Sequence, residues 1–420
     1  MKVKYKKSIL YVLFFLYPVL PSYFGLAGWP VYTILGTVVG ALLIVVNKKI
    51  VLYKETLYLL FAYLCLLIPA MRHQEMVSVL FFLVDVFLIL GCISNIKNRQ
   101  TIETIIDIMI IAAAILCVCS YIEVLFDFNV FSIIENMDSV GGMGTDAQYR
   151  FAYRRAEASF SQSIGYAIYL TFISSLNFYK ICTNKRKSRY LIYHVMIIIG
   201  VVLTFSRVPI ILFFSLQLYF MYVKGFYKGV KKTIEGIAAV ILFILIASIF
   251  HIKISFLNDA ISMIVAMFDS ETSSKIAGSF GNDNLNGWSY RLALITELPR
   301  LLGNKWLLGG GQVFANSGFY TSLYKVGSID NNYITVLFRY GLLGVVGKMV
   351  YIFTGISSSK KLSREEDYKA KIFGKISCAT FIVYLLNWIS VAELREGRTV
   401  LMYIIICVAY RNVMKCIRDV

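Results

Sequence analysis

Apolar runs of membrane-crossing length alternate with shorter polar stretches along nearly the whole chain. A helix needs ~20 apolar residues to cross a bilayer, and about twelve runs approach that length. They cover residues 8–24, 29–46, 56–71, 76–94, 103–125, 158–179, 190–206, 208–223, 234–251, 331–355, 372–391 and 399–415. The pattern predicts an all-α polytopic membrane protein with about 12 transmembrane helices, residues 1–420 forming a single membrane domain. The opening MKVKYKKSILYVLFFLYPVL has the basic-then-apolar look of a signal peptide. With so many runs behind it, it reads as an uncleaved first span.

Two polar stretches are long. Residues 126–157 form a first outer loop, running into QYRFAYRRAEASFSQ. Residues 252–330 form a large outer loop between spans 9 and 10. In it, FLNDAISMIVAMF puts Phe256, Leu257, Ala260, Ile261, Ile264, Val265 and Phe268 on one helical face. That suits a helix lying in the interface or packed on the roof of the bundle. ETSSKIAGSFGNDNLNG is loop-like, and SYRLALITELPRLL reads as a second helix with Arg291 in its first turn, bent or ended by Pro299. The three glycines of KWLLGGGQVFANSGF let backbone approach a ligand or a neighbour closely. No Lys–Ser/Thr pair follows them, so this is not a nucleotide-binding loop. The loop then gives way to the apolar run at SIDNNYITVLFRYGLLG, residues 328–344. Asp330, Asn331 and Asn332 stand where a helix N-cap belongs. A helix starting there turns the positive end of its dipole toward the preceding loop.

Composition agrees: 58% of residues are hydrophobic, 16% are charged, and the mean hydropathy is +0.71. The net charge of +18 invites a nucleic-acid reading, which position removes. With the N-terminus inside, the inner segments carry 26 of the 42 Lys and Arg, as the positive-inside rule requires, and both termini are cytoplasmic. Twenty of those 26 are lysine, whereas ten of the 14 basic residues on the outer side are arginine. Lysine suffices as a topological charge. Arginine is the forked donor for phosphate and carboxylate, so the asymmetry places an anion site outside. The plainer reading pairs these arginines with outer acids such as Glu157, Glu297 or Glu393. Eight cysteines lie in or beside apolar runs and the three histidines are far apart, which leaves no disulfide framework and no metal site.

The candidate residues follow. Arg207 closes Thr204-Phe205-Ser206-Arg207 at a tight outer turn between spans, where an arginine is expensive unless hydrated or paired. It either holds a phosphate or snorkels to headgroups. Arg150, Arg154 and Arg155 cluster with Glu157. Arg154 and Arg155 cannot share one helix face, so at most one points inward. Arg291 with Asp330 and Asn331 would make a charge clamp and a base if the loop brings them together. Arg339 lies further into the same apolar run. Asp85, in the fourth span, is a functional flag or a partner for Lys348.

The layout, with a large outer loop before the antepenultimate span, resembles the O-antigen polymerase and ligase superfamily (Wzy-type polymerases and O-antigen ligases). TFSRVPIILF resembles its Ser-Arg element opening a span, and SYRLALI followed by WLLGGG resembles its arginine helix and glycine-rich turn. Asp330-Asn331, nine residues, Gly341 and Gly344 are similar in spacing to the ligase signature, with aspartate where ligases have histidine. That departure favours a polymerase. The resemblance implies an integral GT-C-like glycosyltransferase using a polyprenyl-diphosphate-linked oligosaccharide, without cofactor or metal. It implies catalytic roles for Asp330, Arg207 and Arg291; the outer arginines and the cap region themselves add Arg150, Arg154, Arg155, Asn331 and Arg339 as substrate-binding candidates. The expected function is polymerisation of repeat units into O-antigen or capsule at the outer face of a bacterial cytoplasmic membrane. Membrane lipids, a chain-length regulator and a flippase of the same pathway would be its partners. A ligase passing polymer to a lipid or protein, and a non-enzymatic flippase, are the alternatives. A flippase needs alternating access and usually internal repeats, and no repeat is evident.

Overall fold

The computed structural model of the chain describes residues 2–26, 28–47, 50–136, 148–150, 153–185, 187–225, 298–315, 331–389 and 397–418. The helices are α1 (Lys2–Leu16), α2 (Val31–Asn47), α3 (Lys54–Arg72), α4 (Met76–Asn95), α5 (Arg99–Phe126), α6 (Ser163–Thr183), α7 (Ser188–Leu203), α8 (Arg207–Val223), α9 (Gly311–Ala315), α10 (Asn332–Leu362), α11 (Tyr368–Asn387) and α12 (Gly397–Arg418). Two short antiparallel hairpins pair Gly25–Leu26 with Trp29–Pro30 and Tyr149–Arg150 with Tyr153–Arg154. Six of the helices, α3, α4, α5, α10, α11 and α12, are long and apolar enough to cross a membrane. The chain is an all-α polytopic membrane protein. The expected ninth span, 234–251, and most of the large loop, including Arg291 and Asp330, lie outside the described residues.

Helix starts follow local chemistry. Asn98, Asn331 and Asp367 each cap a helix, their side chains accepting from the amides of Thr101, Ile334 and Ala370. Two expected boundaries move. The first span stops at Leu16, because Pro18 and Pro21 follow and proline cannot continue a helix. The sixth begins at Ser163 rather than near 158, because the amides of Glu157 and Ala158 are taken by the Glu123 carboxylate at 3.0 and 2.8 Å. The helical residues 298–302 run past Pro299 and end at Gly303, whose φ of +50° suits glycine.

All but three of the 21 residues of α6 are buried, although it carries Thr171, Ser174, Ser175, Asn177 and Lys180. Its polar groups are partnered rather than solvated. Ser175 meets Thr380 of α11 at 2.6 Å, Gln217 of α8 donates to Ser174, and Asn177 donates to the Tyr190 carbonyl of α7. Interhelical bonds of this kind hold membrane helices together where a hydrophobic drive is missing. Helix-end contacts sort into two sets. At one end Arg99 grips Asp367 with two 3.0 Å bonds, Lys180 meets Glu103 and Asp107, and Lys361 and Arg411 meet Glu55. At the other, Asn136 joins Gly25, Arg154 joins Glu123, Arg155 joins Thr204, and the Asn332 amide donates to Trp388.

Candidate functional site

The site is built around an interruption of α10. Gly341, nine residues into that helix, has φ +68° and ψ −166°. The backbone of residues 306–310 runs into the gap. The amides of Leu342 and Leu343 donate to the Trp306 and Leu307 carbonyls at 2.7 and 3.1 Å, and the Gly310 amide donates to the Phe338 carbonyl at 2.8 Å. The glycine run thus meets a neighbouring backbone, as its composition allowed. Non-helical backbone at membrane depth needs such replacement bonds. A Cβ on Gly309 would press against the Arg339 carbonyl, and one on Gly341 against the Gly309 amide and Leu307 carbonyl.

Arg339 locks the joint. Its guanidinium lies 2.9 Å from Glu75 in the α3–α4 turn and donates to Ser78 and Gln312 at 2.8 and 2.9 Å. Glu75 also accepts from the Gln312 amide, and the His73 ring meets the Leu308 carbonyl at 3.1 Å. Sequence reasoning passed over Glu75. Its only signal is a single acid in a turn three residues after α3 ends.

Beside this joint α3, α4, α10 and α11 enclose a cavity of about 130 Å³. Asn332, Thr335 and Arg339 line it from successive turns of α10, with Lys348 deeper along the same helix. Tyr63, Tyr351, Tyr384 and Trp388 supply aromatic walls. Asp85 also lines it, with its two oxygens accepting from Tyr17 at 3.1 Å and Tyr63 at 2.9 Å. Lys348 and Arg398 are the cations whose field reaches that carboxylate. Arg398 itself donates to the Tyr17 and Leu20 carbonyls and stacks on Tyr32 at 3.9 Å. Lys348 therefore shares a cavity with Asp85, while the hydrogen bonds to Asp85 come from tyrosines. The Trp388 indole N–H is buried without a hydrogen-bond acceptor among the described residues.

A second polar cluster sits where α7 turns into α8. Arg155 donates to the Thr204 carbonyl at 3.0 Å and to Ser206 Oγ at 2.9 Å. Arg207 opens α8 directly after Ser206. Burial, with repulsion from nearby Arg207 opposing the pull of Glu157, holds the Arg155 guanidinium below the ordinary arginine value. Phe205 adopts a left-handed φ of +47°, an unusual cost for an aromatic residue at a tight turn. Arg154 turns the other way. It is 8% exposed and contacts Glu123 and Asp127, each at 3.4 Å. Arg154 ends a two-residue strand and Arg155 follows it, and the two side chains take separate partners.

Of the candidate residues, Asn331 and Arg339 share α10 with the cavity wall, while Arg154, Arg155 and Arg207 gather between α5 and α8. Arg150 pairs by backbone with Tyr153 in the hairpin. Asn331 caps α10, one position before Asn332 of the cavity. Asp330 and Arg291 lie outside the described residues, though Asp330 directly precedes that cap. No protein-family model matches the chain, and no characterised protein matches it.

Proposed function

We propose that the protein is a polymerase joining polyprenyl-diphosphate-linked oligosaccharide repeat units at the outer face of a bacterial cytoplasmic membrane. In this reading the chain crosses the membrane twelve times with both termini cytoplasmic. A hydroxyl of one unit attacks the anomeric carbon of the growing chain. The bond from that carbon to the carrier diphosphate breaks, a new glycosidic bond forms, and the hydroxyl proton passes to Asp330. Charge develops on the leaving diphosphate, and preorganised guanidinium donors stabilise it.

The observation that carries this reading is the polar, aromatic-walled cavity that begins at Asn332, two residues past the candidate base, inside a bundle of membrane-length helices. Charge supports it as well. Arg154 and Arg339 are neutralised by buried acids. Arg155 and Arg207 lie close enough to repel, with Glu157 attracting Arg155, and Arg155 donates to a carbonyl and a hydroxyl. Two neighbouring guanidiniums suit one diphosphate. The resemblance to O-antigen polymerases points the same way. A flippase reading draws on the broken helix α10, since interrupted helices mark many transporter sites. Against it, the amides freed at the break are already spent on the Trp306 and Leu307 carbonyls.

Purified protein in liposomes, supplied with lipid-linked repeat units from the source cell, should lengthen chains, read as a ladder by mass spectrometry. Arg207→Lys should cut that rate by about tenfold to a thousandfold, the usual cost of one charged donor. Asp330→Asn should do the same while preserving the cap geometry. Transfer to a new acceptor would make the protein a ligase, and translocation without growth a flippase. Wild-type protein that lengthens nothing sinks the polymerase reading.

A further inference from the structure

We infer that the surface cavity where α10 and α12 end is a binding site for the headgroup of an anionic glycerophospholipid. The site is separate from the aromatic-walled cavity and does not depend on the polymerase reading.

This second cavity holds about 270 Å³. Lys361, Arg364 and Glu365 line it from the end of α10 and the residues just past it, and Arg411, Lys415 and Arg418 line it from α12. The three on α12 recur at four- and three-residue intervals, so one face of that helix carries all of them. The positive-inside rule and the helix dipole both favour cations at such an end, but either is satisfied by charge alone. Neither calls for arginine. Only six of the 26 basic residues in the segments assigned to the inner side are arginine, and Arg364, Arg411 and Arg418 are three of them. Arginine is the forked donor for phosphate. Cations three and four positions apart on a helix also repel, and an anion held between them removes that repulsion.

The frame is set before a ligand arrives. Glu55 opens the first turn of α3 and is 2% exposed. It meets Lys361 at 3.1 Å and also contacts Arg411. Arg364, Lys415 and Arg418 are exposed and have no acidic partner among the described residues. With Glu55 and Glu365 counted, five cations face two acids, and the site keeps three surplus positive charges.

Position selects the anion. α10 and α12 are of membrane-crossing length, so their ends stand at the level of the lipid headgroups. Basic cavities between membrane helices hold phosphate headgroups there. Ile417, 59% exposed on the last turn of α12, offers acyl chains an apolar contact beside the charges. Size agrees. A cavity of ~150 Å³ takes a benzene ring, so about 270 Å³ takes roughly ten non-hydrogen atoms, the size of a phosphate with its terminal glycerol. Free phosphate would fill about half of that space and gain nothing from Ile417.

Native mass spectrometry of the purified full-length protein in detergent tests this, with phosphatidylglycerol or phosphatidylcholine of identical chains as the added lipid. Phosphatidylglycerol should bind about tenfold more tightly or better. Each surface cation contributes about fivefold. The triple variant Arg364→Gln, Lys415→Gln, Arg418→Gln should therefore lose affinity on the order of a hundredfold. Arg418→Gln alone should lose about fivefold, and with one exposed side chain changed it keeps the test independent of folding. The control variant Lys97→Gln, Lys185→Gln, Lys371→Gln removes three exposed charges from the same end of the bundle, outside the cavity, and should bind as wild type does. Equal binding of the two lipids overturns the inference. An equal loss in the control overturns it too, because net charge rather than the cavity would then hold the lipid. Millimolar inorganic phosphate should leave the lipid in place. Displacement by phosphate would assign the cavity to a soluble anion and overturn the lipid.

Discussion

Arg154 and Arg155 are adjacent in sequence and serve opposite purposes. Arg154 is sealed against Glu123, which also accepts from Asn129 at 2.9 Å and from the amides of Glu157 and Ala158. A buried carboxylate with four donors organises the approach to α6, so its charge matters more than its shape. Glu123→Gln removes the buried charge that Arg154 faces, Asp127 being solvent-exposed, and breaking a buried pair costs about 3–5 kcal/mol. The melting temperature of the purified variant should drop clearly. Adding Arg154→Met should recover part of the loss, since replacing both ions is far milder than removing one. An unchanged melting temperature in Glu123→Gln would show that the pair contributes nothing to stability. Arg155 donates to neutral groups and sits between the attraction of Glu157 and the repulsion of Arg207.

Among the elements, α10 matters most because it is broken. Its interruption is stitched by backbone from residues 306–310, which ties that stretch to the helix. Gly341→Ala would place a side chain in left-handed backbone and against the Gly309 amide and Leu307 carbonyl at once. The expected result is protein that inserts poorly or elutes as aggregate in size-exclusion chromatography. A monodisperse variant with wild-type melting would mean that the joint is loose. The opposite ends of the bundle carry a milder test. Asp367 caps α11 and grips Arg99. Although partial burial works against it, the Arg99 bonds hold its carboxyl below the ordinary carboxylate value. A depressed folded pKa stabilises above the unfolded value, near 3.9, and that stability is lost as pH falls through the folded one. The melting-temperature gap between wild type and Asp367→Asn should therefore be constant between about pH 5 and 8 and close below about pH 4. A gap that persists in acid would show that the charge of Asp367 has no part in it.

On the scale of the molecule, the helix ends of the described residues meet in two separate sets of contacts. Positive charge is concentrated on one set, so that side is expected in the cytoplasm. Single cysteines at position 186 should react with a membrane-impermeant reagent only after the cells are opened, and at position 283 in intact cells. The reverse pattern at either position defeats the orientation. The buried α6 adds a structural reason for the arrangement. A helix with Ser, Thr, Asn and Lys on several faces cannot face lipid and must be surrounded.

The sequence by itself determined what local chemistry controls. Hydrophobic run length marked the membrane helices, and Asn331 marked the start of α10, because an amide capping its own helix needs no distant partner. Asp85 stood out because a carboxylate in an apolar run is costly wherever it goes. The tertiary structure alone decided which arginine meets which acid. Arg339 finds Glu75 across 264 positions of chain, and nothing local to either residue encodes that pairing. It also decided the cavity. Trp388, Tyr384 and Tyr63 read as ordinary aromatic residues of two spans, and only the packing of α3 and α11 on α10 turns their faces and one unmet N–H toward a common space. Helix formation depends on neighbours a few positions away, whereas a site is made of side chains that share no local interaction until the bundle closes.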